Sequence, residues 1–147
     1  MKREKFLWPL TQAHHEALML AKRIREQIAS SISEPSVGDT LCQAVQLFWD
    51  HELKPHFENE NVLVKLFQNH VEASDSDVVK ILQEHERLSA WGGAPTVDVL
   101  KSFADLLTVH IRFEEDVFFP RIEKKLLPEE KKEIGALLLK SRPAASS

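Results

Sequence analysis

His110-Ile111-Arg112-Phe113-Glu114-Glu115-Asp116-Val117-Phe118-Phe119-Pro120 decides how this chain is read. A four-residue step turns an α-helix by about 400°, so His110 and Glu114 leave one face. Leu100, Phe103, Leu106 or Leu107, and Val117 extend that face as an apolar stripe. The same spacing recurs in His56-Phe57-Glu58-Asn59-Glu60. Outward from these stretches, strand-type alternation never persists, and the glycines and most prolines gather where helices start or stop. The fold class expected is all-α, a four-helix bundle with a short fifth helix at the C-terminal end.

The first helix is predicted from Pro9 to about Ser30, with Leu10, His14, Ala17, Ala21, Ile24 and Ile28 on one stripe. His15 is rotated about 100° from His14, toward the edge of that face, and stays a rival to it. After a linker from Ser31 to Pro35, the second helix opens with Ser36 and Asp39 spaced as a capping box and runs to about Asn69. Its inward stripe reads Leu41, Val45, Phe48, Glu52, His56, Glu60 (or Asn59) and Leu63. Pro55 predicts a kink beside His56, because proline cannot bond the carbonyl of His51. The third helix is expected from a second capping box, Ser74 with Asp77, to Gly92-Gly93, presenting Val78, Ile81 or Leu82, His85, and Leu88 or Ser89. The fourth starts after Pro95-Thr96 and reaches about Lys125, and Pro128 opens a short amphipathic helix over Glu129 to Lys140. The tail 142–147 is expected to be disordered.

At 147 residues the chain fits one domain, 1–147. A formal charge of -4 gives no basic footprint for nucleic acid, and no nucleic-acid partner is expected. The start lacks the apolar segment of a secretory signal, and no run of about 18 apolar residues exists to span a membrane. A lone cysteine, Cys42, cannot form an internal disulfide or a thiolate zinc site and reads as a small buried hydrophobe. A cytoplasmic location is the expectation.

Each of the four long helices thus sets one histidine in its apolar stripe: His14, His56, His85 and His110. One such residue alone reads as a hydrogen-bonded core histidine. Four in phase, two of them followed at i+4 by a glutamate, read differently. Ionised Glu60 and Glu114 would be costly if buried without a cation, and imidazole with carboxylate suits iron, zinc or manganese. Two close carboxylates in a low-dielectric site also predict a raised pKa for at least one of them in the metal-free chain. His70 lies about 21 Å beyond His56 along a straight helix and cannot share the site. His51 falls about 140° off the His56 stripe, and is expected behind the ligands or on the surface.

With His14-His15-Glu16-Ala17-Leu18, HFENENVL (56–63), EHERL (84–88) and HIRFEEDVFFP (110–120) in place, the whole chain resembles the hemerythrin-like, HHE cation-binding proteins. The resemblance implies an up-down-up-down bundle around two iron ions with a bridging oxo or hydroxo. It makes His14, His56, His85 and His110 terminal metal ligands, and Glu60 and Glu114 bridging carboxylates. Members bind, sense or react with O2, NO or peroxide, or sense iron, so a small diatomic ligand is the expected partner.

The chain departs from the oxygen carriers of that family. A second histidine on the third helix is missing, since Ile81 and Ser89 stand four residues either side of His85. Asn61 replaces the second acid of the E-E pair on the second helix, whereas Glu115 keeps it on the fourth. Counting ligands leaves an open position on each iron unless Glu52 fills one. A di-iron oxidase or peroxidase is therefore a rival reading, as is a mononuclear or metal-free structural bundle. The absence of tyrosine removes tyrosyl-radical chemistry and weighs slightly against the enzyme.

Overall fold

The computed structural model describes residues 2–31 and 35–140, and no strand occurs among them. A 3-10 turn at Lys5–Leu7 leads into α1 (Trp8–Ser31). The second rod is α2 (Pro35–Phe48), a π turn (Trp49–Leu53) and α3 (Lys54–Phe67). The third rod is α4 (Ser76–Gly93). The fourth is α5 (Leu100–Phe113), a π turn (Glu114–Phe118) and α6 (Phe119–Lys125). The rods run up-down-up-down, and α7 (Pro128–Lys140) packs across the end that holds the N-terminal turn. The expected disorder at 142–147 and most of the linker from Ser31 to Pro35 lie outside the described residues.

Both π turns precede a proline by two residues. Pro55 and Pro120 cannot donate to the preceding turn, and a turn one residue wider relieves the ring's clash with its carbonyls. The expected kink at Pro55 therefore takes the form of a π turn just upstream, closed by the Lys54 N–H donating to the Trp49 carbonyl. In the second π turn the Phe119 N–H donates to the Glu114 carbonyl. The next carbonyl, Glu115, would await Pro120 in that register, and it accepts from Arg3 Nη2 instead. The extra residue also turns Phe118 and Phe119 inward, whereas Val117, expected on the stripe, is 41% exposed.

Two further expectations on the second rod are corrected. Its buried face is centred between His56 and Phe57, so Leu53, at i−3 and i−4 from that pair, and Trp49 line the core. Glu52 falls outside that face and is exposed, and Phe48 is only partly buried. The capping boxes are also displaced. Pro35 already occupies the first position of α2, which places Ser36 inside the helix. At α4 the cap is Asp75, not Ser74: its carboxylate accepts from the N–H groups of Asp77 (3.0 Å) and Val78 (3.2 Å). Arg121, which lies over the Phe67 ring, pairs with Asp75 at 2.8 Å and fixes that cap to α6.

Side chains fill the bundle in two apolar clusters. One gathers Ala17, Ala21, Ile24, Leu41, Val45, Trp49, Leu53 and Phe57 with the apolar residues of α5 and Leu88. The other gathers Leu7, Leu10, Leu63, Phe67, Val78, Ile81, Phe118, Phe119 and Ile122, closed below by Ile134 and Leu138 of α7. Between them lies a layer of buried polar side chains.

Candidate metal centre

That layer is made of His14 on α1, His56 and Glu60 on α3, His85 on α4, and His110 and Glu114 from α5 and its π turn, all buried. These are the six residues singled out in the sequence. The helical period puts them on inward faces, and the packing of the rods brings them to one level. His15, about 100° round α1 from His14, is exposed, and Glu52 and His51 are exposed on the second rod. His70 is tied elsewhere, 2.7 Å from Glu130 at the start of α7. Cys42 is half-buried and lies apart from the layer, and burial pushes its thiol pKa up.

The inner nitrogens converge on the two carboxylates. His14 Nε2 lies 3.1 Å from Glu60 Oε2 and 3.0 Å from Glu114 Oε1. His56 Nε2 is 3.0 Å from Glu60 Oε2, and His110 Nε2 is 3.3 Å from Glu114 Oε1. His85 Nε2 reaches Glu60 Oε1 at 3.0 Å and Glu114 Oε2 at 3.7 Å. Proximity here is not hydrogen bonding throughout: His56 Nε2, His110 Nε2 and both Glu114 oxygens are buried without a bond of acceptable geometry. Orphaned polar atoms of this kind, on the second and fourth rods and facing one buried layer, fit a cation between them.

Their arrangement has two overlapping halves. His14, His56, Glu60 and Glu114 form one group, and Glu60, His85, His110 and Glu114 form another, the ligand atoms of each lying within 4.8 Å of one another. The two carboxylates are common to both.

Outer partners hold three of the rings. His14 Nδ1–H donates to Glu115 at 2.6 Å, and Thr11 Oγ1 donates to the same oxygen at 2.9 Å. His110 Nδ1–H donates to Glu84 at 2.8 Å, itself paired with Lys80 at 2.6 Å. His85 Nδ1–H donates to Asn61 Oδ1 at 2.8 Å. Such bonds fix ring orientation and leave Nε2 to face the centre. Sequence reasoning noted Asn61 and Glu115 as one position of a pair but assigned them no partner, and it missed Glu84. The only signal for Glu84 was its place beside His85 in EHERL.

Electrostatics correct one expectation. Burial opposes the charged forms of His14, His85, His110, Glu60 and Glu114, yet mutual pairing outweighs it in the metal-free chain. Burial lowers the His110 pKa, but the nearby Glu114 charge and the bond to Glu84 push it up to about 10. Burial disfavours the charged forms of His14 and His85 too, but the surrounding carboxylates raise both pKa values. Burial and the Glu60 charge work to raise Glu114, but His110 and His14 hold it down to about 2. Glu60 is likewise held well below the usual carboxylate range, against its burial, by His56, His14 and His85. The carboxylates are not raised, as their mutual repulsion alone predicted, because four imidazoles surround them.

An all-α bundle with a buried histidine and carboxylate layer across its core defines a metal-binding class of protein. The chain matches the hemerythrin HHE cation binding domain over residues 6–122 and belongs to that family. No curated protein and no solved structure matches it.

Proposed function

We propose that the chain holds two iron ions, one in each half of the layer, and uses them to bind or react with a small molecule such as O2, NO or peroxide. The observation that carries this reading is the pair of four-ligand groups that share Glu60 and Glu114. Two histidines per half with two shared carboxylates is a donor set suited to a pair of borderline cations bridged by carboxylate. In this reading His14 and His56 would hold one ion, His85 and His110 the other, and Glu60 and Glu114 would contribute to both. Iron bound there supplies redox chemistry and affinity for diatomic molecules.

The protein's own contribution is positioning and insulation. In the metal-free state the charge of the protonated His14, His85 and His110 rings offsets that of Glu60 and Glu114. A cation takes over that role, while the Nδ1 bonds to Glu115, Asn61 and Glu84 keep the rings aimed. The apolar clusters above and below limit water around the ions. Four histidines and two carboxylates leave each iron short of a full ligand shell, which favours small-molecule binding over a purely structural role. The test is metal analysis of the purified protein with its optical spectrum under air and after reduction. Two irons per chain with near-ultraviolet absorption that changes on reduction are expected; one ion per chain, or a spectrally silent zinc, defeats the proposal.

A further inference from the structure

A cavity of about 410 Å³ opens on the flank of the bundle, beside the metal centre and not within it. Trp49 of the first π turn and Phe57 of α3 form its aromatic wall, the rings meeting edge-on at 5.8 Å. Phe57 in turn stacks on His85 at 4.2 Å, and His85 also lines the cavity. Leu82 and Ser89 of α4 complete the side facing α3. Ser89, one turn after His85, folds its hydroxyl back onto the His85 carbonyl at 2.6 Å. Gly92 and Gly93 let the Trp49 indole lie against the helix backbone.

The chemistry of the mouth restricts the occupant. Lys54, Glu58 and Glu86 surround it, one positive and two negative charges, so an anion meets net repulsion. The volume falls within the roughly 300–1,000 Å³ typical of small-molecule sites. Aromatic walls favour a flat ring, and the indole face favours positive charge near it.

We propose that this pocket binds a small planar aromatic molecule, neutral or singly cationic, held in contact with Trp49 and Phe57 beside His85. The site is formed by protein groups alone and does not rest on the two-iron reading. It gives an organic molecule a berth separated from the centre only by the His85 ring.

Calorimetric titration of the full chain with 1-naphthylmethylammonium, and with 1-naphthoate as the anionic counterpart, tests this, with metal content measured on the same samples. Saturable one-to-one binding of the cation is expected, at least about tenfold tighter than the carboxylate because like charges at a binding surface repel. Leu82→Trp, at a position 39% exposed, and separately Ser89→Leu should each weaken binding at least about tenfold by filling the space. Glu58→Lys with Glu86→Lys should reverse the charge preference. Absence of saturable binding, equal affinity for naphthoate, or indifference to both filling substitutions would overturn the proposal. So would a dilution heat showing that a second copy of the chain occupies the pocket. A wrong metal reading appears in the metal count and leaves the calorimetry untouched.

Discussion

Asn61 Oδ1 accepts from His85 Nδ1 at 2.8 Å, and Glu115, which follows Glu114 as Asn61 follows Glu60, stands 2.6 Å from His14 Nδ1. The residues that follow the two glutamates are therefore placed alike but charged differently. A carboxylate behind an imidazole raises the basicity of the metal-facing nitrogen more than an amide does. Glu115→Gln is expected to lower metal affinity by about 10- to 100-fold, and Asn61→Ala by less. Competition against a chelator of known strength measures both, and equal losses would contradict the charge argument.

Removing a ligand outright has a larger effect. His56→Ala or His110→Ala should abolish stoichiometric metal binding, since each takes a nitrogen from a rod that also carries a shared carboxylate. His70→Ala, which breaks only the bond to Glu130, should leave metal content at the parent value. Iron retained after loss of both His56 and His110 would mean that the ions sit elsewhere.

His14 and His15 separate just as cleanly. His14 is buried within 3.1 Å of Glu60, and His15 is exposed. His15→Ala should keep the full metal complement and His14→Ala should lose part of it. Elemental analysis showing the reverse would mean that α1 is rotated in the metal-loaded protein.

Stability should depend on pH in opposite senses with and without metal. In the metal-free chain His110 is raised from 6.5 to about 10, so its contribution is complete below 6.5 and lost as pH rises toward 10. Glu114 is lowered from 4.5 to about 2, so its contribution is present above 4.5 and lost as pH falls toward 2. The metal-free bundle should be most stable between these windows and weaken toward alkaline pH. Metal binding requires the imidazoles unprotonated, so the gain from metal grows as pH rises. At a free concentration 100 times Kd that gain is about 2.7 kcal/mol. Melting both forms at about pH 6 and about pH 9 should give a wider gap at the higher value. A metal-free melting temperature that increases over that interval would contradict the pairing.

Gly92 tests the packing behind the pocket. No glycine among the described residues has a positive φ, so Gly92 is required for space and not for backbone freedom. A Cβ there would lie 3.1 Å from Trp49 Cε3 and 3.2 Å from Phe103 Cε1, both on rings buried in the core. Gly92→Ala should cost about 1–3 kcal/mol of overpacking, against about 1 kcal/mol of helix propensity gained. At Gly93 the nearest atom is Trp49 Nε1 at 3.3 Å, with the next at 3.8 Å, so Gly93→Ala should come out near neutral. Chemical denaturation of both variants gives the comparison; equal stabilities would show that Trp49 is free to move.

The sequence by itself determined which side chains share a face. A helix repeats with a period set by its own hydrogen bonds, so His56 with Glu60 and His110 with Glu114 follow from spacing, and the apolar stripes select His14 over His15. Tertiary structure decided what lies opposite each face. Glu84 bonds His110 from another rod, Asn61 holds His85, and the imidazoles hold Glu60 and Glu114 ionised, because axial offset and rotation between helices are set by packing and not by any one helix. The same packing centred the second rod between His56 and Phe57, which sent Glu52 to solvent and made Trp49 the wall of a pocket. The widened turn before Pro120 moved Phe118 and Phe119 inward in place of Val117. A uniform 3.6-residue period cannot anticipate such a shift, because a π turn adds a residue without any change in the hydrophobic pattern.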